Sequence, residues 1–227
     1  MWIPKPARSL SRLRKDNSRS RADQLRPAKR QIGVHMDYNI LYTTDAIREY
    51  IGCADTIAFD FETAPDDAWR DEPRAALDAH KAHIVGISLA VAEGSAIYVP
   101  LAHRVGRNVV DPDGVMEYLR KAVFENPGVV KVAHNLAFEA VFLYALGIVV
   151  CQPCYDTIAA AQLTLKSKFE FRNLSDSGLK LMATSLFGAD MPDFSTVTAG
   201  RHFDEMDPAD HETLRYACAD SDYTLRL

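Results

Sequence analysis

The chain has 227 residues, of which 48% are hydrophobic and 25% are charged, a balance typical of a soluble globular protein and not of a disordered or fibrous one. This length allows one well-buried domain with a tail and excludes two large domains. No apolar run approaches the roughly 20 residues that cross a bilayer, and the N-terminus lacks the apolar core of a secretory signal. We therefore expect a cytoplasmic protein with no membrane partner.

The net charge of −5 is unevenly distributed along the chain. Residues 1–35 hold ten Lys and Arg against two Asp, whereas residues 36–227 hold 16 basic against 29 acidic residues. Because residues 1–35 also lack apolar periodicity, they are predicted to form a basic, flexible tail, either a solvated extension or a nonspecific phosphate-binding arm. The folded domain is predicted over residues 36–227, and Met36 is a candidate translation start.

Four cysteines in a chain of this size do not indicate a disulfide scaffold. The only close pair is Cys151 and Cys154 in "CQPC". A zinc site would need two further ligands at matching spacing, and no such pair follows in the sequence. Ordinary buried thiols are therefore favoured over zinc.

Five strands are predicted in chain order. Buried strands are indicated by "TIAFDFET" (56–63) and "VVKVAHN" (129–135), a hairpin by "HIVGISLAVA" (83–92) with "SAIYVPL" (95–101), and a short strand by "VVCQPCYD" (149–156). Helices are predicted between and after these strands. A hairpin followed by strands that alternate with helices predicts a mixed sheet covered by helices.

The helix ends carry recognisable capping signals. Asp111-Pro112 predicts an N-cap followed by Pro at the first helical position. A helix that follows Asn135 ends at Gly147, and further helices are predicted in "DTIAAAQLTL" (156–165) and "LSDSGLKLMATSLFG" (174–188). The last helix is predicted to begin at Asp207-Pro208, which repeats the first signal.

Two carboxylates share one face of the first buried strand. Ile57, Phe59 and Phe61 fall on one face, so Asp60 and Glu62 fall together on the other, about 6.6 Å apart at the backbone. An edge strand could simply expose such a pair to solvent. The apolar surroundings favour a central strand instead, in which two unpaired carboxylates would be costly without a cation.

Two further acidic positions follow in the chain. Glu139 lies near the start of the helix after Asn135, where the helix dipole alone would favour a negative charge. Tyr216 and Asp220 lie one turn apart on one face of the last helix. Each feature alone also fits a surface role; the order of all three motifs argues for a common function.

These motifs, in this order, resemble the DEDD superfamily of 3′-to-5′ exonucleases, and most closely the proofreading exonuclease domain of family A DNA polymerases. The motifs that resemble it are "FDFET", "HNLAFEAVFL" and "YACADSDYTLRL", within about residues 40–227. Tyr216, four residues before Asp220, matches the tyrosine branch. Glu139 stands where the family has Asp. The resemblance implies an α/β, ribonuclease H-like fold, with a central mixed five-stranded sheet flanked by helices.

The resemblance also implies a chemistry that depends on two divalent ions, Mg²⁺ or Mn²⁺, which suit hard oxygen ligands. Asp60 is expected to bridge both ions, and Glu62 and Asp220 to hold the ion that activates the attacking water. Tyr216 is expected to orient that water. Glu139 is expected to serve the second ion, directly or through a water.

Three positions match family residues near the 3′-terminal nucleotide: Thr63, Asn135 and Phe138. Each also has an ordinary structural explanation, as a strand terminus, a helix cap and a core residue. His134 is expected to support its turn and not to act in catalysis. The expected substrate is a single-stranded or frayed DNA 3′ end. The alternatives are RNA 3′-end trimming like that of ribonuclease D, a weakened nucleic-acid-binding domain and a purely structural interaction domain.

The chain ends inside the predicted last helix, at Leu227. The resembled domains are followed by a polymerase domain, for which this chain has no motifs. We therefore expect either a fragment of a polymerase or a free-standing exonuclease with its last helix cut, without polymerase activity of its own.

Overall fold

The computed structural model describes residues 36–164 and 177–227. Its strands are β1 (Asp37–Ile40), β2 (Thr56–Pro65), β3 (Ala82–Ala92), β4 (Ser95–Pro100), β5 (Val130–Ala133) and β6 (Cys154–Asp156). Its helices are α1 (Thr44–Ile51), α2 (Pro112–Leu119), α3 (Leu136–Ala145), α4 (Thr157–Thr164), α5 (Leu179–Phe187), α6 (Phe194–Thr198) and α7 (His211–Arg226). The predicted basic tail, Leu165 and residues 174–176 of a predicted helix lie outside the described residues.

The strands form one mixed sheet in the order β1-β4-β3-β2-β5-β6. Antiparallel pairing joins β2, β3 and β4, whereas β5 runs parallel to β2, and β6 parallel to β5. The predicted mixed sheet flanked by helices is confirmed, with six strands in place of five. The strand that the sequence did not reveal is β1, a four-residue edge strand parallel to β4 with no fully buried residue. It is too short and too polar to show a strand pattern.

The two faces of the sheet carry separate cores. Ile57, Phe59 and Phe61 project from β2 into an apolar core formed with α1, α2 and α3. The opposite face is covered by α7, whose Ala217 and Cys218 are completely buried against it. Because side chains alternate along β2, its carboxylates point toward α7.

The predicted helix starts were right in one case and wrong in another. The Asp111 side chain caps α2 by accepting a hydrogen bond from Gly114 N–H. The last helix begins at His211 and not at Asp207-Pro208. The carbonyl oxygen of Asp207 accepts from Asp210 N–H in a turn before the helix. The Asp210 side chain accepts from two backbone N–H groups of the first turn of α7. The local sequence offers two cap candidates, and only the second lies at the helix end.

The cysteines are free thiols. Cys218 is buried as expected, whereas Cys53 is exposed and Cys151 and Cys154 are half-buried. The Cys154 thiol donates to the carbonyl oxygen of Cys151 at 3.3 Å. Among the described helices, none is both long and apolar enough to cross a membrane.

Candidate active site

Three carboxylates converge where α7 crosses the sheet. Asp60 and Glu62 project from β2, and Asp220 projects from α7. One carboxylate oxygen of each lies within 4.8 Å of the others. Because β2 lies between β3 and β5, the solvent-facing edge-strand alternative does not describe this pair. Within the described ranges, this is the only group of side chains placed to hold a metal ion.

The carboxylates lie in an environment that disfavours their charged forms. Burial raises the pKa of Asp60, and the charge of Asp220 raises it further. Burial likewise raises the pKa of Glu62, with added effects of its two neighbours, and raises that of Asp220 to about 7. Lys180 acts in the opposite direction on all three pKa values.

Two buried oxygens of this group lack partners. Glu62 Oε1 and Asp220 Oδ1 accept no hydrogen bond from any residue that the structure describes. A buried carboxylate without donors or counter-charge is unfavourable. A divalent cation would relieve that cost, and an all-oxygen ligand set suits Mg²⁺ or Mn²⁺. The residues present therefore fit a hard divalent ion.

Glu139 faces the same cluster from α3. Its carboxylate is outside the group of three, but the residue is only 2% exposed. Burial raises its pKa, followed by the charge of Asp60. Its Oε2 accepts no hydrogen bond from the described part of the chain. A charge that only favours a helix N-terminus needs no burial, so this position argues for membership of the site.

The turn before α3 is not held by an Asn135 side-chain cap, the structural explanation that the sequence offered for this residue. Asn135 occupies the N-cap position with a left-handed backbone (φ 82°), and its side chain makes no capping bond. Asp156, at the end of β6, accepts instead from the N–H groups of Asn135 and Leu136 at 3.2 and 3.1 Å. His134 Nδ1 contacts the Thr157 hydroxyl at 2.7 Å, and burial lowers the His134 pKa to about 4. His134 is therefore a neutral part of the turn.

Tyr216 lies one turn before Asp220 and is buried. Its ring packs against Phe194 and Phe203, with centroids 6.0 and 5.8 Å away. Burial, and then the charges of the nearby carboxylates, raise the pKa of Tyr216. The hydroxyl therefore stays protonated beside the acidic cluster.

The three predicted substrate positions differ in their surroundings. The Thr63 hydroxyl donates to the Ala76 carbonyl at 2.7 Å, so its proton is used by the fold. Asn135 is exposed. Phe138 is half-buried, with its ring centroid 4.9 Å from that of Phe142. Their contact with substrate stays a prediction.

Sequence reasoning missed two residues of the site. Asp156 anchors the turn that leads to Glu139, and the parallel pairing of β5 with β6 places it there. The signal was an acidic residue at the end of the short predicted strand. Lys180 lies with its Nζ 4.4 Å from the centroid of the Tyr216 ring. Its signal was a single cation within an apolar helix segment, "LKLMATSLF".

The mixed sheet is ribonuclease H-like, and the three carboxylates that converge on it could hold a hard divalent ion. The sequence profile of the 3′-5′ exonuclease family matches residues 38–227. The chain belongs to that family, as a DEDD 3′-5′ exonuclease domain close to the proofreading domains of family A polymerases.

Two relatives place the chain more closely. It is 30% identical over 208 residues to DNA polymerase I of Pseudomonas aeruginosa, a match over 88% of this chain and 21% of the relative. It is 29% identical over 187 residues to DNA polymerase I of Chloroflexus aurantiacus, over 80% and 18%. The chain thus spans about a fifth of the length of these relatives.

Solved structures share the fold. Brucella melitensis NrnC is similar with a TM-score of 0.57 and 18% identity, over 84% of this chain and 76% of that one. Escherichia coli RNase D is similar with a TM-score of 0.56 and 20% identity, over 84% and 43%. At these identities the likeness concerns the fold alone.

Proposed function

We propose that this domain is a metal-dependent nuclease that removes nucleotides from DNA 3′ ends, as the proofreading part of a family A DNA polymerase. The observation that carries the proposal is the convergence of Asp60, Glu62 and Asp220 with unpaired buried oxygens. The two sequence relatives named above, each a DNA polymerase I, support DNA as the polymer.

The four carboxylates would divide the work of holding two divalent ions. Asp60, whose charge adds to burial in raising the pKa values of both Glu139 and Glu62, would contact both ions. Glu62 and Asp220 would hold one ion, and Glu139 the other. Such ions stabilise the charge on the attacking and leaving oxygens of phosphodiester cleavage. The Tyr216 hydroxyl, still protonated, would orient the attacking water by a hydrogen bond.

The substrate would be the 3′ end of a single or frayed strand. Asn135, which is exposed on its turn, would contact the terminal nucleotide. Thr63 would contact it through the lone pairs of its oxygen, because its proton is donated to Ala76. Phe138 would form an apolar wall for the base.

The test is digestion of matched DNA and RNA strands labelled at the 5′ end. We expect shortening of the DNA from its 3′ end in Mg²⁺ or Mn²⁺, none in EDTA, and none by Asp60→Ala, whose fold is checked by circular dichroism. Undiminished digestion by Asp60→Ala would refute the assignment. Faster digestion of RNA would favour a ribonuclease D-like role, and strand binding without digestion a binding domain.

A further inference from the structure

Lys180 is a cation beside the site that the proposed chemistry does not use. It lies on α5, half-buried, with its Nζ 4.4 Å from the Tyr216 ring centroid. A cation over an aromatic face is attracted by the negative charge density of the ring. The ring therefore places the ammonium group without consuming its N–H donors.

The ammonium group is near the carboxylates without pairing with them. Its charge acts on Asp60, Glu62 and Asp220 alike. Yet among the described residues, no carboxylate lies within the 4.0 Å of an ion pair with it, and none accepts a hydrogen bond from its Nζ. Lys180 thus presents three N–H donors, for which the described residues supply no acceptor, on the side of the site occupied by Tyr216.

A strand that enters this site meets strong repulsion. Residues 36–227 carry 16 basic against 29 acidic residues, and four of the carboxylates line the site itself. Bound cations offset the charge where the bond is cleaved, but a phosphate beside that point needs its own partner. A lysine is a point charge suited to that task.

We propose that the Lys180 ammonium group binds a backbone phosphate of the substrate strand beside the carboxylate cluster. This inference rests on the proposed function and names a positioning contact for its substrate. A different role would be that of a counter-charge, which only balances the carboxylates. A counter-charge would affect folding stability and metal affinity, but it would release no counterion from the strand.

The two roles differ in the salt dependence of strand binding. For a single strand, the slope of log K against log salt changes by about 0.7 for each phosphate contact. We expect Lys180→Met to make this slope shallower by about that amount, and Lys180→Arg to restore it. Lys121→Met is the matched control, because Lys121 is exposed and lies by α2, on the other side of the sheet.

Binding would be measured by fluorescence anisotropy with a 5′-fluorescein DNA strand in EDTA, at salt concentrations from 50 to 200 mM. Over that range, a protein with several phosphate contacts loses roughly 10³-fold in affinity. Lys180→Gln is measured in parallel in case the Met variant folds poorly. A slope in both neutral variants equal to that of the parent would overturn the inference. If the slopes of the parent and the neutral variants differed as expected but the parent never digested DNA, the proposed function alone would be overturned. No strand binding by the parent would overturn both.

Discussion

Asp220 and Asp222 lie two residues apart on α7, both are buried, and their surroundings are opposite. Asp222 accepts from the Tyr38 hydroxyl at 2.7 Å, from Gly94 N–H at 2.8 Å and from the Arg226 guanidinium at 2.7 and 2.8 Å. Asp220 Oδ1 accepts from nothing within the described ranges. The Asp222 carboxylate links the helix to the β3–β4 turn. The Asp220 carboxylate keeps an oxygen without a hydrogen-bond donor among the described residues.

Asp204 extends the comparison to another buried carboxylate. Burial alone would raise its pKa, but hydrogen bonds from Arg70 and Arg104 hold the pKa of Asp204 below its usual value. No guanidinium pairs with Asp60, Glu62 or Asp220 in the described part of the chain, and the pKa of each is raised. Asp204 and Asp222 thus have arginine partners, whereas the described residues provide none for the carboxylates of the site. Raised pKa values without an arginine partner are consistent with the cation site proposed for these three carboxylates.

The largest effect on stability is expected from Asp222→Asn. Its amide would turn a donor toward Gly94 N–H or Arg226, and the arginine would lose its counter-charge. Breaking a buried pair costs about 3–5 kcal/mol in the free energy of unfolding. Asp220→Asn, measured by urea denaturation in EDTA, should leave that free energy unchanged or raise it. Equal losses in the two variants would contradict the comparison.

The pH dependence of stability gives a second test. Because the folded-state pKa of Asp220 is about 7, the metal-free folded protein keeps a proton that the unfolded chain has released near pH 4. Stability from this group is therefore present at low pH and lost as pH rises toward 7, by about 1.4 kcal/mol per pH unit at most. Thermal unfolding in EDTA between pH 5 and 8 measures this fall.

Bound divalent ions should reverse this fall in stability with rising pH. Divalent ions bind the deprotonated carboxylates, so the stabilisation by Mg²⁺ or Mn²⁺ should grow with pH. Asp220→Asn should flatten the metal-free fall and weaken the metal effect. A metal-free pH profile that is identical in the parent and in Asp220→Asn would show that this carboxyl does not carry the dependence.

The sequence predicted the features of the site that depend on a single strand or a single helix. Alternation along a single strand placed Asp60 and Glu62 on one face, and helical spacing paired Tyr216 with Asp220. The resemblance to known motifs then joined these elements into one site. It could do so because the residues proposed to perform the chemistry lie within short, contiguous motifs.

What the sequence did not reveal depends on neighbours that are distant in the chain. Asp156 caps α3 only because β6 pairs with β5, and Lys180 meets Tyr216 only because α5 packs on α7. The start of α7 was misplaced because Asp207 and Asp210 are equivalent as local caps. The strand β1 depends on pairing with β4, since its own residues bury little.

Glu139 gives the smallest and most discriminating test. The resembled family has Asp here, and Glu is longer by one carbon–carbon bond of about 1.5 Å. A misplacement of about 1 Å can cost about 100-fold in rate. A rigid contact would therefore not tolerate the exchange of Asp for Glu at this position. We expect Glu139→Asp to digest DNA within about tenfold of the parent, with an altered preference between Mg²⁺ and Mn²⁺, and Glu139→Ala to lose about 100-fold.

Glu117→Ala is the control for these variants, since that glutamate is exposed on α2 and, among the described residues, forms ion pairs only with Lys121 and Arg120. The two Glu139 variants separate the roles of charge and reach. If Glu139→Ala digested DNA as fast as Glu117→Ala, the carboxylate would serve only the N-terminus of α3. It would then belong with Asp222 and Asp204 as a structural group, although its Oε2 has no partner in the described residues. A loss confined to Glu139→Ala would place it with Asp60 in the site, because burial without a partner would then have a functional reason.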